Sequence, residues 1–332
     1  MIKRFFKRFI VLGLISLFSI SLMSGCSMMG TNYNFGFIDK EGNFIIEPKY
    51  GNALTFKEGL AGVLVGTDQY GKWGFIDLNG NMVIEPKYDK TRGIYEGLAP
   101  VRTGDDKNGI WTFIDTNGNT IIDTKFMDAS VFIDGLAPVK FPEVEKYGYI
   151  NKKGDTIIAP EFDIASIFSE ELALYGVGSA ENAETGFINR EGKIVIEAQY
   201  TYCGAFSEGL SAVKLDSDQN KADWGFIDKN GKMVIEAKYA WAGSFKEGLA
   251  PVKIENTENG KWGYINNKGE LVIEAKFGYA LSFSEGVAAV LDGDMKNGKW
   301  GYIDKTGKFI IEPQFNSAGE FSQGLAPASI EK

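Results

Sequence analysis

Between Lys72 and Tyr88 the chain is apolar at Trp73, Phe75 and Ile76, mostly polar from Asp77 to Asn81, and apolar again over Met82, Val83 and Ile84. Two short apolar runs around a four-residue turn predict a β-hairpin. The turn opens with Asp77 and closes with Gly80. An Asx side chain bonds back to the turn amides, and Gly supplies the positive φ of a type I turn with a G1 bulge. The same pairing recurs at Asp39/Gly42, Asp115/Gly118, Asn151/Gly154, Asn189/Gly192, Asp228/Gly231, Asn266/Gly269 and Asp304/Gly307. A small residue follows, with an aromatic three positions later, as in Ala53/Phe56, Ala242/Phe245, Ala280/Phe283 and Ala318/Phe321. That spacing, followed by Glu-Gly, predicts one helical or 3₁₀ turn with Gly as its C-cap. The run "LAPV" then reads as a third short strand. Its prolines (Pro100, Pro138, Pro251, Pro327) and those of the second hairpin strand (Pro48, Pro86, Pro313) fit edge or bulged positions.

The pattern is periodic. The place of Gly74 is taken by Gly36, Thr112, Gly148, Gly186, Gly225, Gly263 and Gly301, in steps of 38, 38, 36, 38, 39, 38 and 38 residues. Eight units of about 38 residues make one array out of what length alone would divide into two domains. In sequence the units resemble the WG-repeat (KWG-like) family of bacterial proteins from Phe35 to about Ser329. The closest copies carry Trp73-Gly74, Trp224-Gly225, Trp262-Gly263 and Trp300-Gly301, which read as repeat-structural positions. Thr112 departs from the glycine, and Phe35, Tyr147 and Thr185 depart from the tryptophan. The resemblance implies an all-β architecture and a cell-surface setting more than any activity.

One such meander cannot close a core alone, so the units bury their apolar faces on each other. The first unit starts without an "LAPV" strand, and the last ends with a spare one, Gly324 to Ser329. These complementary ends allow a closed eight-bladed, propeller-like ring; the alternative is an open β-superhelical or solenoid array.

The N-terminus reads differently. Lys3, Arg4, Lys7 and Arg8 precede an apolar stretch from Phe9 to Met23, which ends in Leu22-Met23-Ser24-Gly25-Cys26. This resembles a bacterial lipoprotein signal, with residues 1–25 removed and Cys26 lipidated, a tether over 26–34, and the array from 35 to 332. The expected location is the extracytoplasmic side of the bacterial envelope, with the lipid on Cys26 as the membrane attachment. Cys203 is the other cysteine, so a mature chain acylated on Cys26 has no internal disulfide. Losing the four basic signal residues takes the formal charge from -9 to -13, which argues against nucleic acid as a partner.

The chain contains no histidine, which removes His-based triads and most Zn, Cu and haem ligation. Cys203 stands where other copies have Ala and reads as a packing residue. The acids of the Glu85 and Glu58 series recur from unit to unit, whereas a hydrolytic pair would be singular. The loops at Asp77 and Asp115 begin like calcium loops, but have Tyr88 and Phe126 where a bidentate Glu is needed. Neither a catalytic residue, a metal site nor a cofactor is therefore expected. Trp111, Tyr147 and Trp241 are the candidate contact residues: two lie in degenerate units, and Trp241 lies outside the motif. The expected function is non-enzymatic: a monomeric, membrane-tethered scaffold that binds an envelope protein. The alternatives are a carbohydrate- or peptidoglycan-binding module and, more remotely, a cell-wall hydrolase.

Overall fold

The computed structural model describes residues 33–105, 107–178, 183–215, 223–257 and 259–331. Cys26 and the leader therefore lie outside the described residues. The strands form eight four-stranded antiparallel sheets. In the first blade, strand A is Asn52–Ala53, B is Leu60–Val65, C is Lys72–Asp77 and D is Met82–Tyr88. Blades 2 to 7 repeat this order along the chain.

Blade 8 joins the two ends. Its A and B strands are Ser317–Ala318 and Ala326–Glu331; its C and D strands are Tyr33–Ile38 and Phe44–Tyr50. Strands B and C pair without interruption from Tyr33↔Glu331 to Ile38↔Ala326. The ring is closed, and the molecule is an eight-bladed β-propeller around a central channel. Each sequence repeat supplies C and D of one blade and A and B of the next, so the half-blade offset is what brings the termini together.

The expected helical turn is not formed. Ala53 pairs with Val63 in strand A, and Phe56, with no exposed surface, packs on Phe37 of blade 8 at 4.6 Å between ring centroids. Lys57 and Leu60 then exchange backbone hydrogen bonds of 2.9 and 3.0 Å around Glu58 (φ 52°) and Gly59 (φ 81°). Two consecutive positive φ values make a type I′ hairpin. The i, i+3 spacing thus arises from an extended pair leading into a tight turn, and the blade has four strands where three were expected. The "LAPV" prolines sit in strand B, an internal strand. Just past the two-residue A strands, the Pro138, Pro251 and Pro327 carbonyls still accept the Ser130, Gly243 and Gly319 amides.

The C–D hairpin forms as its sequence predicts. The amides of Asn79 and Asn81 donate to Asp77 Oδ1 at 2.9 and 2.8 Å, and Gly80 has φ 81°. The motif glycine has a separate cause. A Cβ on Gly74 would lie 2.5 Å from the Ile84 carbonyl oxygen, because strand D folds across it at a register shift. Six other copies keep Gly at this place; Thr112 is the departure.

Cores lie between neighbouring blades. One joins Phe37, Ile46 and Tyr50 of blade 8 to Ala53, Phe56, Ala61 and Val63 of blade 1. Strand D alternates buried and exposed residues, as an outer edge strand does.

Candidate functional site

The A–B hairpins show which part of the repeat faces the axis. Glu58 accepts hydrogen bonds from the amides of Glu96 and Gly97 in the next blade, at 2.6 and 2.8 Å. The Gly135 amide donates to Glu96, Gly209 to Glu170, Gly248 to Glu208, Gly286 to Glu247, and Gly324 to Glu285. Gln323 closes the circle by accepting from Gly59 at 2.9 Å. One side-chain length spans neighbouring blades here, so these hairpins are the innermost elements of the ring. A Glu at positive φ is strained, and its contact with the next blade offsets that cost.

Lysines of the C–D turns complete the links: Lys152 meets Glu96 at 2.9 Å, Lys229 meets Glu170 at 3.2 Å and Lys305 meets Glu247 at 3.0 Å. Burial pushes these three carboxyls up, but the lysine and amide hydrogen bonds outweigh it and hold them below the usual carboxylate range. Lys87, in strand D, lies over the Tyr88 ring, 5.2 Å from its centroid. At blade 3 the residue is Asp134, one methylene shorter, and among the described residues it accepts no hydrogen bond from the Glu171 amide. Arg190 bridges that seam, bonding to the Asp134 carbonyl and lying over the Phe168 ring.

Beside this ring, copies diverge. The residue before the blade-core Phe (Ile94 in blade 2) is Thr55, Gly93, Val131, Ile167, Ala205, Ser244 or Ser282 in seven blades and Glu320 in the eighth. The residue after the aromatic is serine in three blades where it bonds across the seam: Ser169 to the Phe206 carbonyl, Ser207 to Phe245, Ser284 to Phe321. Lys57, Tyr95, Ile133, Lys246 and Ser322 occupy that place elsewhere. Protein surrounds Glu320, yet part of its surface stays open to solvent, as fits a side chain on the channel wall. Burial pushes its carboxyl up to about 7, against the lowering charges of Lys246 and Lys57. Burial, then the charges of Glu320 and Glu58, raise the Tyr95 phenol. The Lys57 Nζ stands 5.9 Å from the Tyr95 ring centroid. A carboxyl near 7 can exchange a proton at neutral pH, but Glu58, the other acid acting on Tyr95, is committed to the Glu96 and Gly97 amides.

The motif tryptophans pack between strands. Trp111, Trp224, Trp262 and Trp300 are buried, at 3–8 % exposed, and Trp73 is half-buried. Trp111 thus offers no open face; it lies under the Arg92 guanidinium at 4.9 Å. Arg92 bonds to Asp128 at 2.9 Å, and the half-buried Tyr147 donates its hydroxyl to the same carboxylate at 2.8 Å. Trp111 and Tyr147 therefore meet around one ion pair joining blades 2 and 3. Trp241 is elsewhere, half-buried between Trp224 (5.5 Å) and Trp262 (5.1 Å). With Tyr202 and Tyr279 it forms a run of rings across blades 5 to 7. Most neighbouring planes tilt by 37–55°, so the run is not a flat ladder. Cys203 is buried, accepts a hydrogen bond from Thr185, and has its thiol pushed up to about 12 by burial, as suits an inert packing residue. Among the described residues no cluster of His, Cys, Asp and Glu forms a metal site.

Solved structures share the fold at low identity. The β-propeller domain of the trilobed protease from Pyrococcus furiosus, which has an open velcro topology, is 10 % identical with TM-score 0.53, over 80 % of this chain and 99 % of that one. A eukaryotic initiation factor is 9 % identical with TM-score 0.52, over 90 % and 98 %. Prolyl oligopeptidase B from Galerina marginata is 9 % identical with TM-score 0.56, over 86 % of this chain and 52 % of that one, about half its length. These likenesses show the fold alone. Comparison with curated proteins gives no match. The model of the WG containing repeat, by contrast, matches residues 35–66, 73–106, 111–141, 147–178, 186–217, 224–257, 262–295 and 300–332, and the chain belongs to that family.

Proposed function

We propose that this protein is a non-enzymatic binding platform, tethered outside a bacterial membrane through Cys26, with an envelope protein as its partner. The observation that carries this reading is the run Tyr202, Trp241 and Tyr279, three half-buried rings on consecutive blades of a frame whose repeated acids serve the frame itself. Partly exposed Tyr and Trp are among the residue types that anchor protein interfaces. A glycan partner is the second reading, since the same rings can stack on sugars; the burial of the motif tryptophans confines it to this run.

The test is capture from envelope extract by the full-length protein and by Trp241→Ala, with fold checked by circular dichroism. A protein captured by the wild type and weakened about tenfold or more by the substitution supports the reading. Glycan recovered instead, with the same loss, supports the second one. Equal capture by both proteins refutes a role for the run. Membrane retention of Cys26→Ala, unchanged from wild type, would refute the tether.

A further inference from the structure

The inner ring holds charged groups that folding does not require. Seven blades form the same hairpin with Thr, Gly, Val, Ile, Ala or Ser where blade 8 has Glu320. The Glu320 carboxylate makes no hydrogen bond or ion pair among the described residues, although burial dominates its surroundings. Leaving an enclosed carboxylate without a donor costs stability. Lys57 and Lys246 sit where serine elsewhere bonds to the next blade. Both act on Glu320 through space, yet neither comes within ion-pair distance of it. The Tyr95 hydroxyl, also without a hydrogen-bond partner among the described residues, completes the cluster.

A purely anionic ligand would be repelled by Glu320, and a purely cationic one by the two lysines. A molecule carrying both an ammonium and a carboxylate satisfies all three groups. At the place of Glu320 the other seven blades carry uncharged residues, so an acid beside two lysines is particular to this arc of the ring. We propose that the channel beside Glu320 is a binding site for a zwitterion of the amino-acid or short-peptide class, with its ammonium on Glu320 and its carboxylate on Lys57 and Lys246. The site lies on the axis, away from the Trp241 run, so it stands or falls separately from the partner surface.

Isothermal titration of the full-length protein at neutral pH tests this with leucyl-alanine, dialanine and free leucine as probes, beside N-acetyl-leucyl-alanine and leucyl-alanine amide. At least one free zwitterion should saturate the protein at millimolar concentration. Blocking either end of leucyl-alanine should weaken binding roughly tenfold, about 1.4 kcal/mol. Glu320→Gln should abolish discrimination between the free and acetylated amine. Lys57→Met combined with Lys246→Met should abolish discrimination between acid and amide. Thermal melts and near-UV dichroism of each variant separate a lost site from a lost fold. The proposal is overturned if no probe saturates, if blocked and free dipeptides bind equally, or if folded Glu320→Gln still rejects the acetylated form.

Discussion

Gly74→Ala measures how tightly the hairpin crosses itself. The new methyl carbon would lie 2.5 Å from the Ile84 oxygen, 2.9 Å from the Pro86 nitrogen and 3.1 Å from the Pro86 Cα. Ordinary carbon–oxygen approach is about 3.3 Å, so strand D would have to retreat by about 0.8 Å. The obstacles are backbone atoms, one of them in a proline ring, so rotamer change gives no relief. Retreat would loosen the Trp73↔Tyr88 pairing and the packing of Ile84. Overpacking of this kind costs about 1–3 kcal/mol, and the rigidity of this neighbour places the expected loss in the upper half of that range. Thr112→Gly is the control: there strand D reads Ile122, Asp123, Thr124 with no proline, and a Cβ is already accommodated. Its loss should stay near the glycine strand penalty, under about 1 kcal/mol. Urea unfolding followed by tryptophan fluorescence reads both values. A Gly74→Ala protein within about 0.5 kcal/mol of wild type, with the same urea dependence, would refute close approach as the reason for the glycine.

Two further outcomes follow from the inner ring. Glu247→Ala should lose about 1–2 kcal/mol in urea unfolding, and Glu247→Gln less, since Gln323 already accepts the Gly59 amide; equal losses would contradict the amide link. Glu96, Glu170 and Glu247 are held low when folded, so their stabilisation is present above the usual carboxylate pKa and is lost as pH falls through the folded values. Glu320 has the opposite sign: raised from 4.5 to about 7, it is neutral on both sides of the unfolding equilibrium at low pH and destabilises the fold progressively as pH rises across that window. Glu320→Gln should therefore gain about 1–3 kcal/mol over wild type at about pH 8, the upper end discounted for its solvent-facing side, and little at about pH 4. Parallel pH profiles for the two proteins would show that the carboxyl is not perturbed.

Local chemistry was legible, and chemistry between blades was not. The C–D turn forms from Asp77 and Gly80 within five residues, so its sequence suffices. Strand A has two residues, too few for any periodicity, and its small residue and aromatic at i, i+3 imitate a helix. The Glu-Gly dipeptide held the missed signal, since paired positive φ values belong to a hairpin. Its function as a link was beyond reach, because Glu58 acts on Gly97 thirty-nine residues away. Trp111 shows the converse: a degenerate unit drew attention to it, but the tryptophan there stays buried while the divergence appears next to it as Arg92. Glu320 was visible by comparing the repeats with each other, as the one charged residue at a place otherwise neutral.

The half-blade offset also fixes which face a tether would turn to the membrane. Phe35 of blade 8 occupies the position of Trp262 in blade 6, and Tyr33 lies two residues further toward the same end of strand C. Trp241 pairs with Lys253, which pairs with Trp262, so the aromatic run is at that end too. The glutamate hairpins and C–D turns occupy the opposite end, where Leu249 pairs with Asn266. From Cys26 to Tyr33 the chain can span at most about 25 Å when fully extended. A lipid on Cys26 would thus hold the Tyr202–Trp241–Tyr279 face within that reach of the bilayer, with the charged face outward. A partner captured through Trp241 must then be membrane-proximal. Lengthening the tether between Cys26 and Tyr33 should weaken capture of such a partner in intact membranes while leaving capture in detergent unchanged; equal capture in both would refute the orientation.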